Sequence, residues 1–174
     1  MSRAAGIREL ADLAAQAIAV ELVLFEAFGR WIPTTSHANA KPMLAAASRR
    51  HAWHADLWRE RFPLIPDADL DAAVAEARAN LGSLVDGLAV FDALPAGSGR
   101  LAVTSHAAAE LAREYRAVLA TIDPLLDAPT VRVLTVVLAD LDMVTPTSHK
   151  LSDDERQALD ALFVEEPFPT LGVA

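Results

Sequence analysis

Apolar residues return at intervals of three and four along four long stretches of this 174-residue chain, and nowhere do they alternate with period two for long. That periodicity predicts an all-α protein, and prolines and glycines mark where its helices stop. The first helix is expected from about Ala4 to Phe28, ending near Gly29 with Pro33 beyond it. The second is expected from about Lys41 to Arg61, entered through Asn39 and Pro42 and closed before Pro63. A weaker helical stretch between about Leu70 and Leu94 contains Gly82 and Gly87, which are expected to break or bend it. The third long helix is expected from about Arg100 to Ile122, the fourth from about Pro129 to Met143. Val144 to Ser148 reads as a breaker. Ser152 to Glu155 reads as the capped start of a short helix ending near Val164, and Pro167 and Pro169 predict an extended tail.

The length suits one domain, residues 1–174. A net charge of −9 repels phosphate backbones and anionic lipid, which argues against nucleic-acid or membrane-surface partners. The absence of cysteine excludes disulfides, a thiolate nucleophile, iron–sulfur clusters and zinc ribbons, so any metal must be held by His and carboxylate. Apolar runs such as Leu13 to Val20 and Val133 to Ala139 fall short of the roughly 20 residues that cross a bilayer. Glu9 and Asp12 interrupt the N-terminal segment before an apolar signal core can build, so a cytoplasmic protein is expected.

Drawn on a helix turning about 100° per residue, three polar side chains fall on apolar faces. In the first helix Ile7, Leu10, Ala11, Ala14, Ile18, Leu22, Phe25 and Phe28 form a stripe, and Glu21 lies inside it. In the second, Met43, Leu44, Ala47, Ala55, Trp58 and Phe62 define a face with His51 and His54 near its centre. A carboxylate facing a core must be paired, protonated or metal-bound. Two imidazoles three residues apart can share one metal or face one carboxylate. Core histidines balanced by Glu21 and a metal site both remain open on this pattern.

These residues resemble the ferritin-like superfamily, which places a Glu on its first helix, Glu-x-x-His on its second, Glu on its third and a second Glu-x-x-His on its fourth around two metals. Glu21 matches the first position and His54 the second-helix His, while His51 stands where the family has Glu. Phe25 to Trp31 and the run His-Ala-Trp-His-Ala-Asp-Leu-Trp, His51 to Trp58, look like actinobacterial ferritin-like proteins with a degenerate di-metal site. The resemblance covers about Ala4 to Arg61 and Leu101 to Val144. It implies an antiparallel four-helix bundle with an extra helical insertion and a short C-terminal helix.

The second half departs from that pattern, because Leu141 and Val144 occupy the positions of the fourth-helix Glu and His. Asp140 and Asp142 could substitute only in a shifted register. On the third helix Leu111, Tyr115, Val118 and Ile122 mark the core side, Glu114 sits at its edge, and Glu110 and His106 lie further toward solvent. The expected ligands are therefore Glu21, His51 and His54, with Glu114 the carboxylate best placed to join them. Such a set suits a single Fe, Mn or Zn ion. The same three residues are the expected catalytic groups, acting on a small-molecule substrate with the metal, or as acid and base without any cofactor. A homodimer is left open.

Other features read plainly. Pro95 to Arg100 lacks the strand and the Gly-Lys-Ser/Thr of a phosphate loop and is expected to be a connector. Arg49, Arg50, Arg59 and Arg61 are expected on a solvated face pairing with nearby acids. His37 and His149 lie in polar loops, without the nucleophile elbow of a Ser-His hydrolase.

Overall fold

The computed structural model describes residues 6–66, 68–94, 97–144, 150–165 and 168–172. Every regular element among them is helical: α1 (Ile7–Thr34), α2 (Ala40–Arg61), α3 (Leu70–Ala79), α4 (Gly82–Val90) followed by a 3₁₀ turn (Phe91–Ala93), α5 (Ser98–Thr121), α6 (Ala128–Leu141) and α7 (Asp153–Asp160) running into a π turn (Ala161–Glu165). The all-α expectation is met. The expected start at Ala4, the breaker at 145–148, His149 and Pro167 lie outside the described residues.

Helix α1 outruns its expected end, because neither Gly29 nor Pro33 stops it. Gly29 instead lets α2 approach closely: a Cβ there would lie 3.2 Å from Ser48 Oγ, which donates to the Phe25 carbonyl at 3.0 Å. Pro33 sits in the last turn, where the helix is closing and Thr35 N–H bonds back to the Trp31 carbonyl. The weak middle stretch does divide before Gly82, whereas Gly87 lies inside α4 and leaves room for Leu162. The Ser152/Glu155 capping box opens α7 as expected.

Helix direction follows from the cross-helix contacts. Glu21 meets His51 and the Phe25 carbonyl meets Ser48, so α1 and α2 are antiparallel. Arg50 meets Asp140 and Arg61 meets Thr130, so α6 runs opposite to α2. Arg100 reaches the Trp31 carbonyl and Tyr115 reaches Glu21, so α5 runs opposite to α1 and therefore parallel to α2. A parallel pair requires a connection that returns along its length, and residues 62–97, carrying α3 and α4, supply it. Both helices of that connection pack on α1.

With α2, α3, α4 and α5 all against it, α1 is buried nearly all round. The expected stripe was accordingly too narrow and off-centre: Ile7 and Phe25 are exposed, while Leu13, Val20, Leu24 and Trp31 are buried. Two buried charged side chains, each held by neutral groups, tie the end of the bundle where α5 begins. Arg100, fully buried, donates to the carbonyls of Trp31, Phe91 and Asp92 and to the hydroxyls of Thr34 and Thr35. Glu155 accepts from Ser98 Oγ, Gly99 N–H and Ser152 N–H, placing a carboxylate on the positive end of α5.

Candidate metal centre

Glu21 lies mid-way along α1, and His51 and His54 lie on adjacent turns of α2 facing it. The three side chains are 0%, 2% and 0% exposed. Glu21 Oε2 is 2.5 Å from His51 Nδ1, and Oε1 is 3.3 Å from His54 Nδ1. Tyr115 on α5 donates its hydroxyl to Glu21 Oε1 at 2.8 Å and accepts from Trp58 Nε1 at 3.2 Å. Phe28 packs edge-on against His51, and Trp53 covers His54. One ligand atom from each of Glu21, His51 and His54 can be chosen so that all lie within 4.8 Å of one another.

The electrostatics are set by burial and by this short list of partners. Burial alone would raise the Glu21 carboxyl; the charge and hydrogen bond of His51, then those of His54, outweigh it and bring the pKa to about 2. Glu21 is thus an anion surrounded by donors. Tyr115 moves the other way: burial first, then the adjacent Glu21 charge and hydrogen bond, push its hydroxyl well above the usual tyrosine value. It stays a phenol and donates.

His54 is the unsettled member of the group. Its Nε2 is 3.1 Å from Asp140 Oδ2, which also receives Arg50 Nε at 2.6 Å. Yet neither His54 nitrogen has a hydrogen-bond partner at acceptable angles, although both are buried. A buried ring in this state lacks the compensation that buried polar groups ordinarily find.

Glu114 does not join the group. It is buried, but α5 turns it toward the C-terminal tail, where Oε2 accepts from Leu171 N–H at 3.1 Å and Oε1 pairs with Arg113 at 2.7 Å. His106 bonds its own helix at the Ala102 carbonyl, and His37 is exposed. Leu141 is buried in the apolar interior as expected from its stripe, and Val144 is half-buried. Of the four arginines expected on a solvated face of α2, three pair with acids, Arg50 with Asp140, Arg59 with Asp71 and Arg61 with Asp127, but Arg50 and Arg61 are half-buried; Arg49 is exposed.

Two polar neighbours of the cluster are not expected from the sequence in these roles, Asp140 having entered only as a ligand in a shifted register. Tyr115 was assigned to the core by its helical face, and only the rule that a buried phenol needs a partner hinted at more. Asp140 stands one residue from the apolar Leu141, and its approach to His54 depends on how α6 is rotated against α2. A cavity of about 720 Å³ between α4 and α7 touches none of these residues. A smaller cleft of about 250 Å³ has His51 in its wall. No protein-family model, curated protein or solved structure matches this chain, so the chemistry of the cluster itself carries the functional argument. No helix among the described residues is long and apolar enough to cross a membrane.

Proposed function

We propose that Glu21, His51 and His54 hold a single divalent metal in a ferritin-like bundle, and that the protein uses it for oxidative or Lewis-acid chemistry on a small, largely apolar molecule. The observation that carries this reading is the buried two-His, one-carboxylate set, one of whose rings has no adequate protein partner for either nitrogen. Two imidazoles and one carboxylate are a borderline donor set that suits Fe(II), Mn(II) or Zn(II) and leaves positions open. Bound there, such an ion would polarise a substrate oxygen or supply redox chemistry.

The chain's own residues would do the positioning. Tyr115 holds Glu21 Oε1 with its hydroxyl, which leaves Oε2 for the centre. Asp140, anchored by Arg50, stands behind His54 Nε2 and favours presentation of Nδ1 toward Glu21. The bundle reading is supported by the single long crossover between the parallel helices α2 and α5, the connectivity of ferritin-like folds. It is supported too by the placement of Glu on α1 and His on α2. Leu141 in place of a fourth-helix carboxylate argues for one metal rather than two.

One contact favours a second reading. The 2.5 Å His51–Glu21 pair can share a proton with no metal present, which would make the protein a small-molecule binder or a cofactor-free enzyme using that pair as acid and base. Metal analysis after dialysis against Fe(II), Mn(II) and Zn(II) separates the two. The first reading expects one equivalent per chain, lost in Glu21→Gln; no retained metal in wild type sinks it and leaves the second.

A further inference from the structure

One member of the cluster borders a cleft. Glu21 and His54 are sealed, but the edge of His51 borders the cleft of about 250 Å³ framed by α2, α5 and the end of α6. The walls are mostly apolar, with Met43 on one side, Met143 on the other and Ala47 and Ala108 at the base. Two hydroxyls, Thr104 and Ser105, lie along α5. Arg50 is the only Lys, Arg, Asp or Glu lining it among the described residues.

We infer that this cleft binds a small monocarboxylate with an apolar body, its head on Arg50 and its body between Met43 and Met143, lying against His51. The inference rests on the proposed function only in making this molecule the one delivered to the centre. Arg50 uses Nε on Asp140, and a guanidinium carries four further N–H groups suited to a carboxylate. Asp140 already balances the Arg50 charge, so the head is held by the remaining guanidinium N–H groups rather than by net charge, which suits one carboxylate and disfavours the dianion of a phosphate monoester. The volume lies below the range of drug-sized ligand pockets, which limits the body to a short chain or one small ring.

The chain contains three methionines, Met1, Met43 and Met143, and two of them line the cleft. Methyl-labelled methionine therefore reports the site directly, in metal-free protein prepared with a chelator. Titration with butyrate should move the Met43 and Met143 signals together to saturation and leave Met1 in place. Butan-1-ol should bind about tenfold more weakly, the worth of a charge-assisted contact, and Arg50→Gln should erase that difference. Ala46→Leu, at an exposed position on the rim, should weaken butyrate binding without unfolding the protein. Equal shifts with butyrate and butan-1-ol in wild type overturn the assignment of the head group, and no shift with either overturns the site. Adding Mn(II) afterwards tests the centre separately. Broadening of both cleft methyls supports metal delivery, whereas butyrate binding without broadening refutes the metal and keeps the cleft.

Discussion

Removing the Glu21 carboxylate tests whether the cluster is one network or an accident of packing. In Glu21→Ala the His51 Nδ1 and the Tyr115 hydroxyl both lose their acceptor inside the protein, at 2.5 and 2.8 Å. Each stranded buried group costs about 1–3 kcal/mol, and the truncated side chain adds a cavity where α1, α2 and α5 meet. The expected loss is about 3–5 kcal/mol, the size seen when one partner of a buried ionic pair is deleted. Glu21→Gln keeps the shape and an acceptor for Tyr115, so its cost should stay near 1 kcal/mol. Urea unfolding with a chelator present gives both numbers. Metal then separates them further: at a hundredfold excess over Kd, wild type should gain about 2.7 kcal/mol, about 5–10 °C in Tm, and Glu21→Gln should gain nothing. A loss below about 1 kcal/mol in Glu21→Ala would refute the network, because it would mean that His51 and Tyr115 find other partners at no cost.

Three further outcomes follow from the same contacts. Gly97 sits at φ +84°, with Thr35 Cγ2 3.0 Å from where a Cβ would be, so Gly97→Ala should lose about 1–2 kcal/mol by thermal or urea unfolding. Glu155 is held below the ordinary glutamate range: burial opposes this, and the N–H groups of Ser152 and Gly99 and the hydroxyl of Ser98 outweigh it. Its stabilisation is therefore complete above the unfolded-state value and disappears as pH falls through the lowered folded-state one; wild type should exceed Glu155→Gln by about 1–2 kcal/mol at pH 7 and lose that margin in acid, in pH-dependent unfolding. Leu141→Glu combined with Val144→His should raise metal content above one equivalent only if α6 has ferritin-like register, and should otherwise lower stability by burying unpaired polar groups, as metal analysis and Tm on the same sample will report.

What could be read from the chain was whatever one helix can reveal about itself. Glu21, His51 and His54 stood out because a polar residue within an apolar stripe is visible on a helical wheel, and the structure brings those three together. The wheel fails where burial is not one-sided: α1 packs against four helices, so Phe25, placed inside by periodicity, is exposed, and Val20 is not. It fails also where partners are distant in sequence. Arg100 had the look of the end of a connector, yet its guanidinium is buried against backbone carbonyls of α1 and of the 3₁₀ turn. Glu114 lay at the edge of its stripe, and the tail residue Leu171 rather than the centre claimed it. Nothing in the local pattern around residue 114 encodes where residue 171 will dock.

The geometry of the cluster also bears on which ion it can accept. Ligand atoms around a tetrahedral or octahedral ion at about 2.0–2.2 Å stand roughly 3–3.5 Å from one another. Glu21 and His51 at 2.5 Å are closer than that, the spacing of two atoms sharing a proton. His54 Nδ1 stands 3.3 Å from the other carboxylate oxygen, Oε1, which Tyr115 also holds. A metal entering would replace the shared proton and push His51 outward by several tenths of an ångström. Close packing of α1 on α2, with Ser48 seated against Gly29 and its hydroxyl on the Phe25 carbonyl, opposes parting of the helices. The His51 ring is the one that can give, since of the three side chains it alone lines the cleft, although Phe28 packs edge-on against it. The movable ligand and the open side of the centre therefore coincide, which favours a small ion with nitrogen affinity over Ca²⁺, with its 2.3–2.6 Å bonds and need for six to eight oxygens.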